Sequence, residues 1–149
     1  MDRLLTRPPF RSRGGFSLIE LMIAAAIISL LVAVAIPRIS GAIRLANEGS
    51  TKAKLGSIRT ALSIYYADND GAYPADLDPL MRPGSKYLTR VLPLYTGAHG
   101  ERNSVQYLPS RLSDSDTGSW GYVNSGSETG TVWVDCSHTD SKNQVWNAY

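Results

Sequence analysis

The first third of the chain divides into a short polar stretch and a long apolar one. Residues 1–15 are basic and contain two prolines, whereas residues 16–36 are apolar except for Ser17, Glu20 and Ser29. As a helix rising 1.5 Å per residue, this run would be about 31 Å long, close to the hydrocarbon thickness of a bilayer. The pattern therefore predicts a membrane-spanning helix near the N-terminus.

Helical periodicity continues beyond the apolar run, with apolar residues recurring at intervals of three and four. The two groups are Ile36, Ile39, Ile43 and Ala46, and then Leu55, Ile58, Leu62 and Tyr65. This spacing predicts an amphipathic continuation of the helix, which Pro37 and Gly41 would kink or loosen without ending it. The run Asp68-Asn69-Asp70-Gly71 predicts the end of the helix.

The second half of the chain changes from loop to strand character. Residues 75–118 are rich in Pro, Gly and Ser and predict a compact loop region with a short helix near residues 76–81. Residues 120–123 and 131–135 flank a Gly/Ser turn and predict a β-hairpin, and a last strand is expected at residues 144–148. The predicted fold class is α+β, with one long N-terminal helix, half transmembrane and half amphipathic, packed on a small C-terminal antiparallel sheet.

Charge is distributed as unevenly as hydrophobicity. Four arginines against one aspartate give residues 1–15 a net charge of +3. The remainder holds 11 basic and 12 acidic groups, a net charge of −1. The positive cluster before the apolar run predicts a cytoplasmic N-terminus and an external C-terminal domain. A chain of charge −1 after residue 15 predicts no general attraction to nucleic acid.

The junction of the two N-terminal stretches carries a recognisable motif. Residues 11–22 read RSRGGFSLIELM and closely resemble the processing signal of type IV pilins and type II secretion pseudopilins. In that family a membrane aspartyl peptidase cuts after the glycine, here Gly15, and N-methylates the new first residue, here Phe16. The family also has Glu at the fifth mature position and often Pro at the twenty-second, which are Glu20 and Pro37. The resemblance weakens after residue 37 and disappears beyond residue 75.

The charge of Glu20 gives the motif a physical meaning. A charged residue at mid-bilayer costs roughly 2.5–3.5 kcal/mol or more, so an acid in this run needs a partner. The resemblance implies that the partner is the α-amine of Phe16 in a neighbouring subunit, exposed by cleavage. An ordinary secretory signal, cut near Ala33-Val34-Ala35, and a plain membrane anchor are the alternatives. Glu20 and the length of the apolar run both count against them.

The resemblance implies a domain organisation and a set of partners. Residues 1–15 would be a basic prepilin leader, residues 16–37 a transmembrane and assembly helix, and residues 38–149 a periplasmic or extracellular globular pilin domain. Expected partners are further copies of the chain, the prepilin peptidase and methylase, an inner-membrane assembly platform, and lipid before assembly. The expected location is the bacterial inner membrane, single-pass, and then a pilus or a periplasmic pseudopilus.

Three functions from different classes are consistent with these features. The first is a structural subunit of a type IV pilus, and the second is a pseudopilin acting as a periplasmic piston in type II secretion. The third, a DNA-uptake pilin, is disfavoured by the charge of −1. No catalytic constellation stands out, so the chain is expected to be a peptidase substrate and not an enzyme.

The sequence holds few residues of the types that bind a cofactor, and no cofactor is expected. With Cys136 as the only cysteine and only His99 and His138, a zinc site is expected to lack ligands. Cys136 is instead expected to be a half-buried residue at a strand end. Calcium remains the one ion to consider, because major pseudopilins hold it in a C-terminal loop. The candidate acids for such a site are Asp114, Asp116, Asp135 and Asp140.

Overall fold

A computed structural model describes residues 15–88, 93–111 and 115–149. Within these residues the chain forms two α-helices, three strands and one 3-10 helix. The elements are α1 (Leu18–Asp68), α2 (Asp78–Met81), β1 (Val105–Leu108), β2 (Ser119–Val123), β3 (Val132–Asp135) and the 3-10 helix η1 (Trp146–Ala148). The chain divides into two compact units, one ending at Ser40 and the other running from Gly41 to Tyr149. The predicted α+β class is confirmed.

Helix α1 matches the two helical patterns of the sequence. It begins at Leu18, two residues after the predicted start, and it includes Pro37 without interruption. It ends at Asp68, where the sequence predicts a stop. Gly71 has a φ of 80°, a left-handed conformation that glycine adopts readily. Its N–H donates to the carbonyl oxygen of Tyr66 at 3.0 Å, which closes the helix end.

The three strands form one mixed sheet in the order β1-β2-β3. Strands β2 and β3 pair antiparallel, as the predicted hairpin requires, with Ser119 opposite Asp135. Strand β1 runs parallel to β2, with Val105 opposite Trp120. The prediction of an antiparallel sheet is therefore wrong for β1, because a four-residue strand joined by a long connection leaves no turn signal in the sequence.

The core lies between the second half of α1 and the sheet. Leu55, Ile58 and Leu62 of α1 are buried, which confirms the face predicted from their spacing. They pack with large side chains from the sheet and from the C-terminal segment. These are Trp120, Tyr122, Val132, Val134 and Trp146. The aliphatic stripe of the helix thus covers an aromatic-rich sheet face.

The predicted last strand is wrong. Residues Trp146–Ala148 form η1, and only an isolated bridge joins Thr139 to Val145. The reason is tertiary, because Trp146 is fully buried and both of its N–H groups have partners elsewhere. Its backbone N–H donates to the His138 carbonyl oxygen at 3.0 Å, and its indole N–H donates to the Thr96 carbonyl oxygen at 3.1 Å. These bonds select a turn that an extended strand could not provide.

Candidate functional site

The predicted cleavage point lies just before α1. Residues Gly15, Phe16 and Ser17 are outside the helix, and Phe16 is 84% exposed. The first bond of the helix runs from the Leu21 N–H to the Ser17 carbonyl oxygen at 3.2 Å. A side chain at Gly15 would find nothing within 4 Å among the described residues. The backbone on both sides of the Gly15–Phe16 bond is therefore exposed in the subunit, as a protease substrate requires.

The first part of α1 is apolar around its whole circumference. Its large side chains are exposed on every face, including Leu18, Ile19, Leu21, Met22, Ile23, Ile27, Ile28, Leu30, Leu31 and Ile36. By length and composition, α1 can cross a membrane. An exposed apolar surface of this extent needs lipid or other protein chains to cover it. The segment is consistent with membrane anchoring.

Glu20 is the acid within this apolar surface. It lies in the first turn of α1 and is exposed. Among the described residues it belongs to none of the ion pairs. Among the described residues, the helix N-terminus favours this charge by about 0.3–1 kcal/mol. This contribution is smaller than the roughly 2.5–3.5 kcal/mol that an unpaired charge costs at mid-bilayer.

Pro37 lies inside α1, at the end of the exposed apolar segment. It has no N–H, so it cannot donate to the carbonyl oxygen of Ala33 one turn earlier. The hydroxyl of Ser40 donates to the Pro37 carbonyl oxygen at 3.0 Å. The predicted position of Pro37 within a continuing helix is confirmed.

Two of the four calcium candidates have their oxygen atoms occupied by protein donors. Asp135 is fully buried and accepts hydrogen bonds from Ser115, Asp116 and Thr117. Asp140 is buried and pairs with Lys52 Nζ at 2.5 Å, and it also accepts from the Tyr149 hydroxyl at 2.8 Å. Both carboxylates stabilise their own loops, and calcium binding by them stays a prediction. Asp114 lies outside the described residues.

Asp116, the fourth candidate, lies beside residues that are distant in sequence. Its Oδ1 is 3.2 Å from His99 Nε2 and 3.5 Å from His138 Nδ1. Cys136 Sγ is 3.7 Å from His138 Nδ1. One ligand atom from each of these four side chains lies within 4.8 Å of all the others. We call these four residues the His-Cys-Asp cluster.

The cluster contradicts the expectation that a zinc site would lack ligands. That expectation counted cysteines and histidines and left out the carboxylate, which the fold places next to them. One faint signal of the cluster in the sequence is the Cys136-Ser137-His138 spacing. The pairing of β2 with β3 brings Asp116 close to Cys136 and His138, and the packing of the loop after Leu94 brings His99 to Asp116. Neither approach can be inferred from sequence spacing. Cys136 is fully buried, where half-burial was predicted.

The protonation states in the cluster follow from its surroundings. The Ser137 backbone N–H donates to Asp116 Oδ1 at 2.8 Å and, together with His99, lowers the pKa of Asp116 to about 2. Burial raises the pKa of the Cys136 thiol. At neutral pH the metal-free cluster therefore contains a carboxylate beside a protonated thiol.

Comparison with known proteins agrees with the N-terminal features. The prokaryotic N-terminal methylation motif matches residues 10–36. The competence protein ComGC of Halalkalibacterium halodurans is 35% identical over 78 residues, which cover 52% of this chain and 76% of ComGC. No solved structure matches the chain significantly.

The matched motif spans Gly15, Phe16 and Glu20 and the exposed apolar part of α1. The match to ComGC extends over most of that protein and exceeds half of the present chain. Proteins of this family are structural subunits, and the family suggests processing by prepilin peptidase and self-assembly into filaments. The chain belongs to the type IV pilin-like proteins that carry an N-terminal methylation motif.

Proposed function

We propose that this chain is a filament subunit, cut between Gly15 and Phe16, N-methylated at Phe16 and assembled through residues 16–37. Residues 1–15 are then the leader, and residues 38–149 form the globular domain outside the inner membrane. Before assembly the subunit crosses the inner membrane once, with its N-terminus in the cytoplasm. The observation that carries the proposal is Glu20, a charged side chain in an exposed apolar helix with no ion-pair partner in the described part of its own chain.

The pairing of Glu20 follows from the chemistry of cleavage. Removal of residues 1–15 creates a positive α-amine on Phe16, four residues before Glu20. In a helix bundle away from water, a paired charge is tolerated and an unpaired one is costly. Aliphatic side chains lose little on moving from lipid into such a bundle, so polar pairs and small residues decide the packing. Glu20 of one subunit therefore sets the position of the next by binding its Phe16 amine.

A matched pair of variants tests this assembly role. Glu20→Gln removes the charge at the proposed contact, and Glu101→Gln removes the charge of an exposed glutamate in the globular unit. A hydrogen bond between charged groups is worth about 1.5–3 kcal/mol, so the first variant is expected to lose at least about tenfold in filament yield. The control is expected to assemble normally. Yield is measured on the sheared extracellular or periplasmic fraction, with electron microscopy.

Intact mass separates assembly from processing. Both variants are expected to begin at methylated Phe16, because cleavage does not require the subunit contact. Gly15→Leu is expected to keep the leader. Wild-type filament yield from Glu20→Gln contradicts the pairing, and a Gly15→Leu chain that begins at Phe16 contradicts recognition by the peptidase.

A second and finer function is a role in DNA uptake, favoured by the similarity to the competence protein ComGC. Three basic residues in the second half of α1, Lys52, Lys54 and Arg59, are engaged within the globular unit and do not form a free DNA-binding surface. Lys52 pairs with Asp140, Lys54 Nζ donates to the Pro93 carbonyl oxygen at 2.6 Å, and Arg59 donates to the Val132 carbonyl oxygen at 3.0 Å. In this role the subunit would therefore act through the filament that it builds, and not by binding DNA through these side chains.

Deletion of the gene that encodes the chain distinguishes a competence filament, a secretion pseudopilus and a surface pilus. A competence filament predicts loss of transformation with normal protein secretion. A secretion pseudopilus predicts the reverse, and a surface pilus predicts loss of extracellular filaments and attachment with both processes intact.

A further inference from the structure

We propose that His99, Asp116, Cys136 and His138 bind one zinc ion in a tetrahedral site on the globular unit. The four side chains come from three separate segments: the loop after Leu94, the loop before β2, and the segment after β3. This inference does not depend on filament assembly or on the fate of residues 1–15. The four residues lie in the unit from Gly41 onward, where hydrogen bonds within the same subunit hold the segments that carry them.

The distances in the cluster fit a tetrahedral zinc site. With zinc–sulfur bonds of about 2.3 Å and zinc–nitrogen or zinc–oxygen bonds of about 2.0–2.2 Å, neighbouring ligand atoms lie about 3.3–3.6 Å apart. The observed separations are 3.2 Å and 3.5 Å from Asp116 Oδ1 to the two histidine nitrogens, and 3.7 Å from Cys136 Sγ to His138 Nδ1. All the separations are within 4.8 Å, so any pair farther apart than about 3.6 Å would have to close on the ion by about 1 Å.

The donor set favours zinc over the hard cations. Two imidazole nitrogens and a thiolate suit zinc, whereas calcium and magnesium prefer oxygen ligands. The fourth donor, Asp116, is a single carboxylate and cannot make an oxygen cage by itself. The calcium predicted from the C-terminal acids would therefore find only one suitable ligand in this cluster.

The backbone around the ligands is held in place by contacts outside the cluster. Trp146 links two of the ligand-bearing segments, since its backbone N–H donates to the His138 carbonyl oxygen and its indole N–H to the Thr96 carbonyl oxygen. The buried carboxylate of Asp135 accepts the Asp116 N–H at 3.2 Å and the Thr117 N–H at 3.1 Å, which fixes the loop that carries Asp116. Ligands held by such groups bind metal with little reorganisation.

Gly118 allows His99 to approach this loop. A Cβ atom at Gly118 would lie 2.4 Å from the Cβ of His99, and the residue has a φ of 66°, in the left-handed region. A larger residue would force the histidine away from Asp116.

A zinc ion here would cross-link parts of the chain that no intrachain disulfide can join, because Cys136 is the only cysteine. A metal bound only by the folded state stabilises it by mass action. When free zinc exceeds its dissociation constant by about 100-fold, the melting temperature of the globular unit is expected to rise by about 10–12 °C. The site would be structural, since all four positions of the tetrahedron are filled by protein.

The experiment uses the full chain purified in detergent, stripped with a chelator and titrated with cobalt and then zinc. Cobalt is the spectroscopic probe. We expect one cobalt per chain, intense visible bands of tetrahedral geometry and a thiolate-to-cobalt charge-transfer band. Zinc should displace cobalt at one equivalent.

Three variants and one control test the ligands. Cys136→Ser should abolish the charge-transfer band. Asp116→Asn and His138→Gln should weaken zinc binding by at least about 10-fold, because even the loss of a residue that only hydrogen-bonds to a metal ligand typically weakens binding by that much. His138 is half-exposed, so its replacement leaves the core intact if Cys136→Ser does not fold. Asp70→Asn is the matched control, because Asp70 and Asp116 share a left-handed backbone, with φ of 51° and 50°. It should bind zinc like the wild type.

Three results would overturn the proposal. They are a wild-type cobalt spectrum without the thiolate band, unchanged zinc affinity in both Asp116→Asn and His138→Gln, and an equal loss of affinity in Asp70→Asn.

Discussion

Three acidic side chains of the globular unit differ from Glu20 of the apolar unit in what surrounds them. In the unit from Gly41 onward, Glu48, Asp135 and Asp140 are buried and each is bonded to donors of the same subunit. In the unit that ends at Ser40, Glu20 is exposed on an apolar helix and forms no ion pair among the described residues. The first pattern belongs to a self-sufficient domain. The second is the pattern expected of a segment that other subunits complete in the proposed filament.

Glu48 shows how fully the globular unit satisfies a buried acid. Arg44 Nε donates to Glu48 Oε1 at 2.9 Å, and the Ser141 N–H and hydroxyl donate to Oε2. Burial raises the pKa of Glu48, but the hydrogen bonds from Ser141 and Arg44 outweigh burial, so the net pKa is lowered. The acid stays ionised because its surroundings replace water.

Removing the most heavily bonded acid should produce the largest effect. Asp135→Asn replaces an acceptor of five hydrogen bonds with a group that is itself partly a donor. Several buried donors lose their partner, at about 1–3 kcal/mol each, so we expect a loss of about 3–4 kcal/mol in the free energy of unfolding. Urea unfolding measures it, with Asp70→Asn as a control expected within about 0.5 kcal/mol. A loss below about 1 kcal/mol would mean that Asp135 does not organise the loop.

A new acid in each unit sharpens the comparison. Ile27 and Ile64 are 55% and 48% exposed in the subunit, but only Ile27 lies in the segment proposed to cross the membrane. Ile27→Asp should weaken membrane insertion by about 2.5–3.5 kcal/mol, which corresponds to roughly 100-fold. Ile64→Asp should insert normally. The retained fraction after an alkaline wash measures both, and equal retention would contradict the assignment of the two regions.

Breaking one ion pair should have a smaller effect. Lys52→Met leaves the buried carboxylate of Asp140 without its cation, and we expect a loss of about 2 kcal/mol, because the lysine side chain is partly exposed. The double variant with Asp140→Asn should recover part of this loss, as a double-mutant cycle would show. Additive losses would show that the two side chains do not interact.

Acid should weaken the same unit gradually. Burial opposes the charge of Asp140, but bonds from Lys52 and from the Gln144 N–H outweigh it and lower the pKa of Asp140 in the folded state. The folded state then binds fewer protons than the unfolded state, so this stabilisation is present above about pH 4 and is lost as pH falls below it. We expect Asp140 to account for a decrease of about 1 kcal/mol between pH 5 and pH 3. In Asp140→Asn the decrease should be smaller, and an identical pH profile would exclude Asp140 as its source.

The sequence was sufficient where structure depends on local periodicity. The spacing of Leu55, Ile58 and Leu62 predicted the buried face of α1, and the residues after Asp68 predicted its end. The hairpin of β2 and β3 followed from two strand-like runs around a turn. Each of these features depends on neighbours within about a dozen residues.

Features that depend on distant pairing were missed. Strand β1 is defined by its parallel partner, and η1 by the burial of Trp146 against Thr96. The His-Cys-Asp cluster unites residues 99 and 138, which no sequence spacing connects. The role proposed for Glu20 stays a prediction, and it follows from the apolar run around that residue.

The three tryptophans, Trp120, Trp133 and Trp146, are all fully buried in the unit from Gly41 onward. Residues 16–40 contain none. Tryptophan fluorescence of the full chain therefore reports the folding of the unit from Gly41 onward and does not report on residues 16–40. A red shift in emission would mark the opening of the globular core, whether the apolar segment sits in a detergent micelle, a bilayer or a filament.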